Sequence, residues 1–491
     1  MPRMPRPTLV FVVDGLRPDS ISPEDTPTLH RLRAEGVSFA AGHATFPTVT
    51  RVNAATLATG AHPRAHGILG NTMFVPEVNP TRAFSNDDWR NLVAVERATG
   101  LVPIPTLAER LSSSGARFAA VSSGSTGSAF LLNPRAPAGV GVLVNGYFTP
   151  GTLVAYPPDV NATILARFGP APPRGGSAER FDSAVDWAET VLRDYVLPEL
   201  APDVVINWIT EPDHTQHALG AGSPEARASI RNADRHVAEI LARVDANVIV
   251  ASDHGFGVNT ARVDVTHELV ESGLKAGPDS DDVVCATSGQ AMALYLKDRA
   301  SERVRKIVAF LQARPWIGVI FTAQGDVEGA FPLALIHADH PTWAPDVLFT
   351  FPWTSARNEF GVPGTDTGDA ASKVASDHGS LSPWTVGSTL LAWGPAFKRG
   401  TTVRAPAGNV DVAPTVLALH GLDASGLDGR VLREAFADGP DEEQLTVETR
   451  AHTAEAAAGR YRAVVQISEV DGRRYVDKGW RIMSRPYPGP A

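Results

Sequence analysis

The chain has 491 residues, 43% hydrophobic and 20% charged, the balance of a folded globular protein too long for one simple core. Its 54 acidic against 44 basic side chains give a net charge of −10, which argues against nucleic acid as a bulk partner and which bound metal ions would partly offset. The single cysteine, Cys285, excludes an intrachain disulfide and a thiolate zinc cluster.

Arg3 and Arg6 precede the apolar run Thr8–Val13, which Asp14 breaks. Six residues are too few for a signal-peptide core or a membrane span, so the run predicts a buried parallel strand in a cytoplasmic protein with no membrane partner. Thr26-Pro27 starts a helix with Leu29 and Leu32 on one face and Gly36 as its stop. Pro47 then holds a loop extended up to Thr50, where an Ala-rich helix begins that ends at Gly60. A threonine in that place is ordinarily a cap. The same helix start offers unpaired N–H groups and a positive dipole end to an alkoxide or a phosphate. Residues 72–105 show little periodicity and several prolines, and 130–176 are rich in Gly and Pro, so both read as loop or insertion. Between them the pattern predicts a helix at 107–111 and a strand at 117–122. Phe181, Val185, Ala188, Leu192 and Tyr195 recur at helical spacing, in a helix that should end before Pro198.

A second buried strand at 204–209 leads into Glu211-Pro212-Asp213-His214-Thr215-Gln216-His217. A helix from about 224 to 244 follows, then a third strand at 247–251 running into Ser252-Asp253-His254-Gly255. Residues 256–375 mix strand-like stretches at 291–296, 319–321 and 347–351 with a helix at 302–313, as in an inserted cap. Ser376-Asp377-His378-Gly379 closes this segment, so that Ala-Ser-Asp-His-Gly occurs at both 251–255 and 375–379, an echo too short to imply duplication. A strand at 388–393 and a helix at 415–420, started by Pro414, come next. Two β-rich runs, 462–470 and 473–482, flank Asp471-Gly472, a hairpin signal. The expected organisation is an α/β domain over 1–435 with a mostly parallel central sheet flanked by helices. It carries insertions at about 72–200 and 256–375, and residues 436–491 form an extension whose hairpin caps the core or pairs with another subunit in a homo-oligomer.

The predicted strands at 8–13, 204–209 and 247–251 each finish near an acidic residue, Asp14, Asp213 and Asp253. In an open parallel sheet, ligands gather beyond the carboxyl ends of the strands. Asp213 and His217 are four apart and share a face if helical, Asp253 and His254 adjoin on a loop, and His378 supplies a third imidazole. Oxygen and nitrogen ligands without cysteine suit Zn²⁺, with Mn²⁺ or another divalent ion as alternatives.

Asp14-Gly15, the run Phe46-Pro47-Thr48-Val49-Thr50-Arg51-Val52-Asn53, Ala58-Thr59-Gly60 and His66-Gly67-Ile68-Leu69-Gly70-Asn71 belong to one pattern. Together with Glu211-Pro212-Asp213, His217, Ser252-Asp253-His254-Gly255 and His378-Gly379, they resemble the alkaline phosphatase superfamily. The most similar branch is the nucleotide pyrophosphatase/phosphodiesterases. The resemblance implies an alkaline-phosphatase-like fold and two divalent metal ions, most commonly Zn²⁺. One would be held by Asp14, Asp253, His254 and Thr50, the other by Asp213, His217 and His378. It further implies that Thr50 is the nucleophile, forming a covalent phosphothreonine, and that Asn71 donates to a non-bridging phosphate oxygen. An Asn with no evident arginine partner suits a diester, which carries one charge fewer than a monoester. Relatives stack the nucleotide base on aromatic side chains near Asn71; Phe74 is the candidate, and plain packing is its other reading.

Val52 stands where the family has Pro, and Gln216 where it has Gly. The Gln-His pair and the long spacing from His254 to His378 look more like phosphonoacetate hydrolases. That branch holds its substrate carboxylate with lysines, and the corresponding segment here, 122–129, has none. Cys285 lies far from any nucleophile position, against a sulfatase. The expected function is hydrolysis of small nucleotide-like phosphodiesters or pyrophosphates. A phosphonate hydrolase, a phosphomonoesterase and a degenerate binding protein are the alternatives, the last opposed by the filled ligand positions.

Overall fold

The computed structural model describes residues 6–147, 153–173 and 181–482; Arg3, residues 148–152 and 174–176 of the Gly- and Pro-rich run, and residues 483–491 of the expected C-terminal extension lie outside them. Nine strands form the central sheet: β1 (Thr8–Val13), β2 (Val37–Phe39), β3 (Phe118–Ser122), β4 (Val142–Asn145), β5 (Ala155–Tyr156), β6 (Val204–Ile209), β7 (Asn247–Ala251), β8 (Leu390–Trp393) and β9 (Thr401–Val403). Their order is β9-β2-β8-β7-β1-β6-β3-β4-β5, and only β8 and β5 run against the rest. The mostly parallel α/β sheet expected from the sequence is present.

The unbroken apolar run of β1 has a direct cause. Val10 and Val12 enter the core on one face, while Leu9, Phe11 and Val13 enter it on the other. Helices Thr50–Thr59, Leu107–Ser113 and Val412–Leu419 cover the first face, and Pro27–Glu35, Asp182–Val191 and Pro224–Leu241 cover the second. Full burial of each such Val, Leu or Phe contributes roughly 1.5–3 kcal/mol, which makes the sheet a rigid base for whatever its strand ends carry.

The region 72–200 is not an insertion, because β3, β4 and β5 complete the central sheet from it. Short strands between Gly and Pro residues give too few consecutive positions for a period to emerge. The stretch 72–105 likewise contains a helix, Trp89–Thr99, capped by Asp88. Only Leu92 and Val95 of that helix are fully buried, so its apolar stripe is thin. The helix expected to stop before Pro198 instead continues as a π-helical segment, Leu192–Leu200, with Leu192, Tyr195 and Val196 buried against the sheet. Packing of those three side chains outweighs the missing proline N–H.

Between β7 and β8 the chain builds two further sheets. Gly257–Val263, Trp353–Arg357, Pro363–Asp369 and Ser376–Asp377 form one, and a five-stranded sheet from Val283–Ser288 to Val347–Thr350, with helix Ser301–Gln312, forms the other. The strand Pro363–Asp369 is buried throughout yet reads Pro-Gly-Thr-Asp-Thr-Gly-Asp, which carries no apolar signal. The tail is a three-stranded meander, Val447–Ala456, Tyr461–Val470 and Arg473–Arg481, and its second turn has positive φ at Asp471 and Gly472, as the Asp-Gly pair demands. Tyr461, Ala463, Val465, Ile467 and Val476 join the apolar cluster of the five-stranded sheet, so the meander packs on this chain. None of the described helices is long and apolar enough to cross a membrane.

Candidate metal centre and nucleophile

β7, β1 and β6 are adjacent, so their carboxyl ends bring Asp253, Asp14 and Asp213 to one place. Main-chain contacts lock the three turns together. The Gly15 N–H donates to Asp253 Oδ1 at 3.1 Å, and the Asp213 N–H donates to the Asp14 carbonyl at 3.1 Å. Gly15 has φ +69°, and a Cβ there would lie 2.9 Å from the Phe256 ring, so the turn requires glycine. Gln216 also serves this turn, donating from Nε2 to the Gly15 carbonyl at 3.1 Å.

Asp213 and His217 lie on one turn of helix Asp213–Leu219, with His217 Nε2 at 3.3 Å from Asp213 Oδ1. His378 Nε2 is 3.4 Å from that same oxygen and 3.2 Å from His217 Nε2. His254 Nε2 lies 3.1 Å from Asp253 Oδ2, 3.5 Å from Asp14 Oδ1 and 3.9 Å from Asp213 Oδ1. The ligand candidates read from the sequence therefore lie in one cluster, in which Asp14, Asp253 and His254 are one compact group.

The donor set tests whether cations fit. Each imidazole spends its Nδ1–H on a main-chain carbonyl: His254 on Gly255 at 2.9 Å, His217 on Ser376 at 2.8 Å and His378 on Thr48 at 2.9 Å. In the neutral rings all three Nε2 lone pairs consequently face inward. Asp14 Oδ1, Asp213 Oδ1 and Asp253 Oδ2 are buried there without a hydrogen-bond donor. A buried cluster of acceptors with no matching protein donors is costly unless a cation takes the lone pairs, and imidazole plus carboxylate is a donor set that suits Zn²⁺ and other divalent ions. Titration reflects the same crowding. Burial, then the charges of Asp253 and Asp213, push Asp14 well above the carboxylate range. Burial opposes charge on His217, yet the Asp213 carboxylate lifts it to about 9. Asp213 is in turn drawn well below its ordinary value, against its own burial, by His217 and His378. On the other side of Asp14, Trp208 Nε1 donates to Oδ2 at 2.9 Å and fixes which oxygen faces the cluster.

Thr50 opens helix Thr50–Thr59, which closes on Gly60 at φ +66°. It is not the cap: Val49 occupies that position, and the Thr50 hydroxyl points instead at His254 Nε2, 3.4 Å away. Asn71 is half-buried beside it. Its Oδ1 accepts from the Arg51 N–H at 3.1 Å and its own N–H donates to Ser288 Oγ at 3.1 Å, so the amide turns its Nδ2 donor elsewhere. Arg51 is engaged by Asp87 and by Ser125 Oγ, the latter at 2.9 Å. Phe74 packs against Tyr295, ring centroids 5.3 Å apart, in the apolar cluster of the five-stranded sheet. An opening of about 330 Å³ leads to the cluster, lined by Asn71, His214, His217, Gly289, Ser372 and His378 among others. A larger hollow, about 700 Å³ between Glu35, Trp393 and Lys398, contains none of these residues.

Asp377 escaped the sequence reading as a member of the site. It is buried and groups with His217 and His378. The repeated Asp-His pair at 253–254 and 377–378 was the available signal.

The family described as type I phosphodiesterase / nucleotide pyrophosphatase matches residues 8–315. The chain is 27% identical over 263 residues to the venom phosphodiesterase of Naja atra, a match covering 51% of this chain and 26% of that protein. It is 26% identical over 259 residues to ectonucleotide pyrophosphatase/phosphodiesterase family member 7 of Homo sapiens, covering 50% of this chain and 47% of the other. The match thus spans less than half the length of these relatives. The structure of murine ectonucleotide pyrophosphatase/phosphodiesterase 5 superposes with a TM-score of 0.60 at 17% identity, over 88% of this chain and 100% of that one, a likeness of fold.

Proposed function

The chain belongs to the type I phosphodiesterase / nucleotide pyrophosphatase family, and from that premise we propose that it hydrolyses phosphodiester or pyrophosphate bonds of small nucleotide-like molecules with Thr50 as nucleophile. The observation that carries this reading is the Thr50 hydroxyl, at a helix start, directed at His254 Nε2 within a cluster of imidazoles and unpartnered carboxylate oxygens. Two divalent ions, Zn²⁺ in our reading, held by Asp14, Asp253 and His254 and by Asp213, His217 and His378, would supply Lewis acidity that offsets phosphate charge and eases deprotonation of the attacking oxygen.

The chain's own residues do the rest. Helix Thr50–Thr59 presents its positive end where the phosphate oxygens gather charge. Asn71 donates from Nδ2 to a non-bridging oxygen. Thr50 gives up its hydroxyl proton to solvent water as Oγ1 bonds to phosphorus and the bond to the leaving oxygen breaks, and that oxygen takes up a proton from solvent, so the proton count is unchanged. Water then cleaves the phosphothreonine diester and restores the hydroxyl. A neutral amide facing the phosphate, with the Arg51 charge already matched by Asp87, favours the singly charged diester over the doubly charged monoester.

The test is the Zn²⁺-loaded protein on an aryl ester of a nucleotide beside an aryl phosphate monoester. The diester is expected to turn over faster; equal or faster turnover of the monoester overturns the assignment. Thr50→Ala is expected to lose on the order of 10⁴-fold in kcat. Activity within tenfold of wild type would assign the nucleophile elsewhere.

A further inference from the structure

The loop that carries Thr50 and the loop that carries Asp253 meet on one buried amide belonging to neither. Asn409, fully buried at the start of the short turn Asn409–Asp411, donates both hydrogens of its Nδ2. One goes to Asn53 Oδ1 at 3.1 Å, the other to the Asp253 main-chain carbonyl at 2.9 Å. Asn53 in turn clamps the loop ahead of the nucleophile. Its Oδ1 accepts from the Thr45 N–H at 2.8 Å, and its Nδ2 donates to the carbonyls of Thr45 and Val49 at 3.0 and 3.2 Å. The two halves of the proposed reaction, attacking oxygen and ligand loop, are therefore spaced by a single side chain.

The geometry points to Asn409 as a positioning residue that sets the nucleophile loop against the Asp253–His254 loop, and to the C-terminal sheet as the brace that keeps Asn409 in place. This rests on the reading of the centre given above. Two side chains of strand Arg473–Arg481, Tyr475 and Asp477, reach the chain around Asn409. Tyr475 donates its hydroxyl to Asp411 Oδ2 at 2.9 Å, an oxygen that also accepts from the Gly408 N–H at 2.8 Å. Asp411 Oδ1 accepts from the Arg430 N–H at 2.8 Å, closing the turn. Asp477 Oδ1 lies 2.9 Å from His43 Nε2, and His43 Nδ1 lies 3.0 Å from the Ala407 carbonyl. The residues bracketing Asn409 are thus tied to the tail sheet on both sides. An aspartate at 409 has no hydrogen to donate when ionised and only one when protonated, and an alanine leaves Asn53 and the Asp253 carbonyl without the shared donor.

The test uses the full-length protein with Asn409→Ala, and Zn²⁺ as the probe. Groups that support metal ligands typically change affinity or activity 10–100-fold, so Zn²⁺ affinity by equilibrium dialysis and kcat are each expected to fall by about that factor, with KM little changed. Hydrogen–deuterium exchange is expected to speed up over 45–53 and 252–256 in the Zn²⁺-free protein. Tyr475→Phe, which removes the hydroxyl's bond to Asp411 Oδ2 and the one it accepts from Arg430 Nε, should shift the same quantities in the same direction by about tenfold. A folded Asn409→Ala protein with wild-type Zn²⁺ affinity and unchanged exchange in both loops overturns the proposal. If Asn409→Ala does not fold, Asn409→Ser and Tyr475→Phe decide by the same readouts. If the wild-type protein neither binds Zn²⁺ nor cleaves a diester, the reading of the centre fails, while the exchange data still decide the role of Asn409.

Discussion

The pentapeptide Ala-Ser-Asp-His-Gly appears at 251–255 and again at 375–379, and the two copies end with their imidazoles stacked, centroids 3.5 Å apart at 15°. Their carboxylates nevertheless do different things. The first copy leaves β7 in the central parallel sheet, and Asp253 turns Oδ2 into the cluster, where no donor meets it. The second leaves strand Ser376–Asp377, which pairs antiparallel with Gly257–Val263, and Asp377 folds back on its own surroundings. Its Oδ1 accepts from the His378 N–H at 2.9 Å and its Oδ2 from Ser372 Oγ at 3.0 Å. The imidazoles diverge as well. Burial lowers both, but Asp253 then lifts His254 above its ordinary value, whereas His254 itself holds His378 below. The delivering strand, not the local sequence, decides which atom of a repeated motif reaches the centre.

The largest test of that contrast is Asp253→Asn. The amide still accepts from the Gly15 N–H but withdraws a charged oxygen from the group with Asp14 and His254. We expect kcat/KM to fall by about 10³-fold, close to 4 kcal/mol, and one bound metal ion per chain to be lost. Metal stoichiometry by elemental analysis and activity within tenfold of wild type would together remove Asp253 from the ligand set.

How much of this was legible in the sequence follows from the same contrast. β1, β6 and β7 announce themselves because strands buried on both faces must be apolar at every position, and an acid beyond such a run stands out. Asp14, Asp213 and Asp253 were visible for that reason. The strands β4 and β5 were not, since four and two residues hold no readable period. Buried polar strands such as Pro363–Asp369 were equally silent, being stabilised by hydrogen bonds to neighbours remote in sequence. The family resemblance implied Thr50 as a nucleophile candidate; only the three-dimensional arrangement excludes the capping role, by placing Val49 at the cap. Asn409 and Trp208 gave no sequence signal at all, because each acts through a partner more than 150 residues away.

A buried acid outside the cluster sharpens the comparison. Glu189 lies under β6, where Oε1 accepts from Asn207 Nδ2 at 2.8 Å and Oε2 has no hydrogen-bond partner. Burial, only partly opposed by the Asn207 hydrogen bond, raises it from 4.5 to about 7. With no converging ligands, a lone buried acid favours its neutral form. The folded state then holds the proton more tightly than the unfolded chain, so the stability Glu189 contributes is full at low pH and is lost as pH rises through about 7. At 1.36 kcal/mol per pKa unit the loss by pH 8 is on the order of 3 kcal/mol. Glu189→Gln, neutral throughout, is expected to exceed wild-type stability at pH 8 by that order and to match it near pH 4, below the unfolded value of 4.5. Denaturant unfolding at both pH values measures this, and parallel pH profiles for the two proteins would show that Glu189 stays ionised in the fold.

The smallest expected effect falls on the second copy of the motif. Asp377→Asn preserves an oxygen for the His378 N–H and places an amide against Ser372 Oγ, which can accept from it, so the loop should keep its shape. What disappears is a negative charge 3.9 Å from His217 Nδ1, which helps that imidazole remain electron-rich. A group acting through a ligand in this way is worth about tenfold in metal affinity, at the low end of the range for such supports. We therefore expect Asp377→Asn to weaken Zn²⁺ binding by about tenfold, with both ions still bound at saturation and kcat restored by excess metal. The competing outcome is equally specific, because Asp377 also groups with His217 and His378 as a potential direct ligand. If Asp377→Asn loses one ion outright and falls as far as Asp253→Asn, the two copies of the pentapeptide coordinate alike, and the difference in how their carboxylates turn carries no functional meaning.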